Sequence, residues 1–132
     1  MQEDYQDLSD YFGRFSEIKA AYLFGSHAAG RTNSLSDLDI AVLLDDDIDF
    51  ADIKLEILGG LIELGYDNVD LAVLNGMSLL GRYEVVKHNK LLYQREDFDP
   101  HSYFSLITRK YLDFKPYLKV QREYLKERVL DG

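Results

Sequence analysis

The sequence predicts an α/β fold, a small mixed sheet packed with helices. Two observations carry that expectation. Short apolar runs at Ile18–Phe24, Asp37–Leu44 and Asn68–Leu74 have the length of strands and are bounded by Gly, Ser, Asn or Asp. The segments around them repeat apolar residues every three or four positions, which is helical spacing. At 132 residues, the chain is expected to form one domain around a modest core.

Each element has its own signal. Residues 1–15 place Leu8, Tyr11, Phe12 and Phe15 at helical spacing. The first strand, Ile18–Phe24, stops at Gly25-Ser26, and the second opens at Asp37. Asp45-Asp46-Asp47 reads as a solvated loop capping the next helix; a metal-ligand role is the lesser reading, since adjacent acids on a loop are not pre-aimed. Phe50–Leu64 aligns Ile53, Ile57, Leu61 and Leu64 on one stripe, with Gly59-Gly60 permitting close packing and Gly65 as the stop. The third strand carries a single charge, Asp70. Met77–His88 is expected to be a helix ending on Lys87 and His88, where positive charge suits the dipole. Leu91–Tyr93 follows as a short edge strand.

From Asp99, a candidate N-cap ahead of Pro100, the pattern is helical to the end. Pro116 is expected to divide it into helices over 100–113 and 116–130. Tyrosines and other large apolar residues on this stretch fit core packing or a partner-binding extension equally well.

Composition narrows the function. There is no cysteine, which excludes disulfides and thiolate metal sites. The net charge of −9 disfavours direct nucleic-acid binding, which needs clustered Lys and Arg, and suits a protein partner. No apolar stretch has the length of a membrane span and the N-terminus is acidic, so a cytoplasmic protein is expected. Oligomeric state stays open.

The chemistry concentrates in Tyr22–Leu44. Side chains on a strand alternate, so Asp37 and Asp39 share a face, while Leu38, Ile40, Val42 and Leu44 turn to a core. Paired carboxylates repel unless a cation lies between them. The Gly25-Ser26 turn offers backbone N–H groups to an anion, with glycine allowing close approach. Phosphate at the turn and Mg²⁺ on the carboxylates describe a nucleoside triphosphate site. Arg31 is placed to neutralise a phosphate or to be solvated, and His27 either contacts phosphate or starts a short helix. Asp70 reads either as a third carboxylate at that site or as an edge-strand acid facing water.

Gly25-Ser26, ten residues, then Asp37-x-Asp39 resembles the G-S-x10-D-x-D motif of nucleotidyltransferases related to DNA polymerase beta. Gly25-Ser-His-Ala-Ala-Gly30 is similar to the form in its minimal, single-domain members. Together with length and the C-terminal YLDFKPYLKVQREYLKER, the chain resembles the MntA-type antitoxins of HEPN/MNT toxin–antitoxin pairs. The resemblance implies a minimal nucleotidyltransferase fold and transfer of AMP from Mg·ATP to a tyrosine hydroxyl of a cognate HEPN-domain ribonuclease toxin. It further implies that Gly25 and Ser26 hold the triphosphate, that Asp37 and Asp39 ligate two Mg²⁺ ions, and that Asp70 is third ligand and base. Two rival readings are an aminoglycoside-like transferase, for which the chain looks too short, and a non-enzymatic antitoxin acting by occlusion.

Overall fold

The structure is a computed structural model that describes the backbone of residues 5–25 and 38–131, with side chains up to residue 117. The described elements are α1 (Gln6–Phe12), β1 (Ile18–Phe24), β2 (Leu38–Leu44), α2 (Phe50–Glu63), β3 (Val69–Val73), a 3₁₀ turn (Leu74–Gly76), α3 (Leu79–Val86), β4 (Lys90–Gln94) and α4 (Pro100–Asp131). The four strands form one mixed sheet in the order β3-β2-β1-β4. β1 runs antiparallel to both β2 and β4, whereas β2 and β3 are parallel. A parallel pair needs a crossover, and α2 supplies it.

Helices cover both faces of the sheet. On one, Leu38, Ile40, Val42 and Leu44 meet Leu8 and Phe12 of α1 and Ile53, Ile57 and Leu61 of α2. On the other, Ala20, Tyr22, Ala41 and Leu43 meet Val85 and Val86 of α3 and Ile107 of α4. The expected core face of β2 is confirmed, and its opposite face is buried too beyond Asp39. That explains why the second strand reads as a nearly continuous apolar run. A register shift between Ile18 and Ala20 puts Lys19 at a bulge, so Ile18 and Ala21 serve one core while Ala20 and Tyr22 serve the other.

Boundaries follow local chemistry. Asp49 accepts from the Ala51 N–H and caps α2, so the preceding run of three aspartates does not cap it. Instead Asp45 forms a two-point ion pair with Arg95, whose guanidinium also donates to the Ser16 carbonyl and Asp97. Gly60 allows the close packing expected of it, because a Cβ there would collide with the Tyr11 ring. The Tyr11 hydroxyl donates to the Ile57 carbonyl at 2.9 Å. Gly65, at φ +100°, stops α2.

Two expectations are corrected. α3 ends at Val86, so Lys87 and His88 follow the helix rather than close it. Asn89, at φ 50°, turns the chain into β4. The C-terminal segment is one helix through Pro116, not two. Proline removes a single ladder bond, and this one lies where residues 112–117 are exposed and the freed carbonyl can be hydrated. Asp99 caps α4 as expected, accepting from the His101 and Ser102 N–H groups and the Ser102 hydroxyl. Among the described residues, no helix is long and apolar enough to cross a membrane.

Candidate active site

Three sequence-predicted positions come together at one end of the sheet. Asp39 pairs in register with Phe24 of β1 on one side and Asp70 of β3 on the other. Adjacent strands lie about 4.8 Å apart, so the two aspartates are direct neighbours on one face. It is the face that Ala41, Leu43 and Ala72 continue, beneath α3 and α4. Asp39 is half-buried and Asp70 is exposed. Asp70 thus lies on an edge strand and in register beside Asp39.

Gly25 closes the site from the end of β1. Its φ is +73°, a left-handed conformation that non-glycine residues seldom adopt. A Cβ at this position would lie 3.1 Å from the Asp39 carboxyl carbon, and nearer still to one carboxylate oxygen. Backbone and carboxylate thus meet without room for a side chain. Ser26, His27, Arg31 and Asp37 lie outside the described residues.

The pair suits a divalent cation bound through oxygen. Mg²⁺ is commonly held by one or two carboxylates together with substrate phosphates, and Asp39 and Asp70 supply two at adjacent positions. Among the described residues there is no cluster of three His, Cys, Asp or Glu that would hold a metal without further ligands. Two like charges about 5 Å apart in water repel by about 1 kcal/mol, and a cation between them removes that cost.

Two residues that the sequence did not single out support this end of the sheet from a distance. The Asn75 side chain accepts from the Leu44 N–H and donates to the Leu44 carbonyl, both at 2.8 Å, extending the β2–β3 seam by a two-point clamp. Arg82 donates to the Met77 and Asn75 carbonyls and fixes the turn after β3. Asn75-Gly76 is legible as a turn signal, but the reach of the side chain is not.

The fold and this site define a nucleotidyltransferase. Residues 6–98 match the family described as polymerase beta, nucleotidyltransferase, and the chain belongs to it. It is 33% identical over 93 residues to the protein adenylyltransferase MntA of Aphanizomenon flos-aquae, a match covering 62% of this chain and 62% of that relative's length. Among solved structures it is similar to a chain of a toxin–antitoxin crystal structure with AMP-PNP, at TM-score 0.73 and 24% identity, over 97% of this chain and 99% of that one. A mutant MntA–HpeT toxin–antitoxin complex gives TM-score 0.71 and 25% identity over 98% and 99% of the two chains. A complex of tri-AMPylated Shewanella oneidensis HEPN toxin with MNT antitoxin gives 0.67 and 23% over 96% and 95%.

Proposed function

We propose that this chain is an antitoxin that transfers AMP from ATP to a tyrosine hydroxyl of a HEPN-domain ribonuclease toxin. The observation that carries the chemistry is the in-register pairing of Asp39 with Asp70 beside the left-handed Gly25 turn. The similarity to MntA and to toxin–antitoxin complexes supports the choice of nucleotide and acceptor.

In this reading Gly25 and Ser26 hold the triphosphate through backbone N–H groups and a hydroxyl, and Arg31 offsets phosphate charge. Asp37, Asp39 and Asp70 would hold two Mg²⁺ ions, which when bound would neutralise charge on the reacting phosphate oxygens. Asp70, exposed on the edge strand, is reachable by the acceptor and takes the tyrosine proton. The tyrosine oxygen bonds to the α-phosphorus as the bond to pyrophosphate breaks, and pyrophosphate leaves in line.

Intact-mass spectrometry of the cognate toxin after incubation with this protein, ATP and Mg²⁺ tests the proposal. A gain in whole AMP units, absent with Asp39→Ala, is expected. Asp70→Asn should lower transfer by 10²-fold or more while leaving the melting temperature unchanged or higher, since it removes a repulsive neighbour of Asp39. The occlusion reading has one observation in its favour, the exposure of Leu112, Phe114 and Tyr117 on α4. A stable complex formed with no mass gain would favour it.

A further inference from the structure

We propose that a second cleft, at the other end of the sheet, binds a small aromatic oxyanion. The cleft has a volume of about 390 Å³, within the range of small-molecule sites. It lies beside Leu43, four residues along β2 from Asp39 and so about 13 Å away along the strand. Phe50 and Phe98 give it aromatic walls.

Three donors on its lining have unused capacity. The Tyr103 hydroxyl is buried and has no hydrogen-bond partner among the described residues. Arg82 commits Nε and Nη2 to carbonyl oxygens and leaves Nη1 without a partner among the described hydrogen bonds. Lys19, at the bulge of β1, makes no ion pair among the described residues; neighbouring Asp45 is already held by Arg95. A buried hydroxyl without an acceptor is costly, and an oxyanion would supply acceptors to all three groups at once. The neutral polar group on the lining, Asn75, is engaged with Leu44. The lone acid, Asp46, is exposed, where salt screens its repulsion. The walls favour a planar ring behind the anionic head.

Phenyl phosphate is the probe, titrated into the ¹⁵N-labelled full chain without nucleotide or divalent metal. Benzoate distinguishes a carboxylate head from a phosphate, and inorganic phosphate isolates the contribution of the ring. Saturable binding is expected, with shift changes centred on Leu43, Phe98 and Tyr103. Tyr103→Phe, which deletes an unpartnered hydroxyl and should fold normally, and Lys19→Met should each weaken binding about tenfold, the scale of one charge-assisted hydrogen bond. Asp39→Asn should leave it unchanged. Absence of saturable binding for both aromatic probes would overturn the proposal, as would full affinity in Tyr103→Phe or a shift map centred on Gly25 and Asp39. Equal affinity for inorganic phosphate would overturn the aromatic component.

Discussion

At Gly25, backbone geometry and site chemistry are inseparable. The left-handed φ of +73° and the Asp39 carboxylate at the position of a missing Cβ both exclude any side chain. Gly25→Ala should cost about 1–2 kcal/mol from the conformation alone and push the Asp39 carboxylate out of place. A lower melting temperature together with loss of the proposed AMP transfer is the expected result. A fully active alanine variant would show that the close approach is dispensable. Arg95 illustrates a charge whose value depends on pH. Its hydrogen bonds hold the Asp45 and Asp97 carboxyls below the usual carboxylate range. A depressed folded value contributes stability that is complete above the unfolded pKa, about 3.9, and is lost as pH falls through the folded value. Arg95→Met should therefore cost about 1 kcal/mol at neutral pH, discounted for an Asp45 side chain that is 39% exposed. The penalty should shrink below pH about 4, which urea midpoints at pH 7 and pH 3 would reveal. Of these residues, Gly25 and Asp39 were legible because motif spacing and strand parity sufficed. Arg95 was not, because beyond nearby Asp97 its partners Ser16 and Asp45 come from segments distant in the chain.

Among the elements, the strands were read almost to the residue. Ile18–Phe24 agrees with expectation, β2 agrees over its described residues, and β3 and β4 differ by one residue at each end, since apolar runs between turn residues leave little freedom. The helices departed where local rules compete with context. Pro116 argues for a break, yet α4 continues because one lost bond on an exposed stretch does not dissolve the ladder on either side. Asp70 was legible as an odd charge in a strand. Its position opposite Asp39 was not, because register across a crossover is fixed by the packing of α2 and not by β3 itself. Asn75 locks that register at the far end of the seam. Asn75→Ala removes two hydrogen bonds to the Leu44 backbone and should cost about 1–3 kcal/mol, with hydrogen exchange in β3 accelerating more than in β1. Uniform acceleration across the sheet would mean that the clamp is not local to the seam.

For the molecule as a whole, the three-layer arrangement puts the carboxylate pair and α4 on one face of the sheet. The last buried apolar side chain of the described part of α4 is Ile107, while Leu112 and Tyr117 are 56% and 65% exposed. If α4 is part of the proposed toxin interface, ending the chain after Asp113 should leave the melting temperature nearly unchanged and weaken toxin binding tenfold or more, on the scale of an interface anchor. Titration calorimetry would measure this, and unchanged affinity would remove α4 from the interface.

The parallel seam between β2 and β3 has a consequence for how ligand and fold depend on each other. Asp39 and Asp70 become neighbours only when the edge strand has docked against β2. A partly frayed sheet, in which β3 has peeled away, contains both residues but no site. A cation bridging the two carboxylates, as proposed, would therefore act as a stitch between an edge strand and the sheet interior. By mass action its binding energy is added to the stability of that edge. The chain should be hardest to unravel at β3 when it is loaded to react.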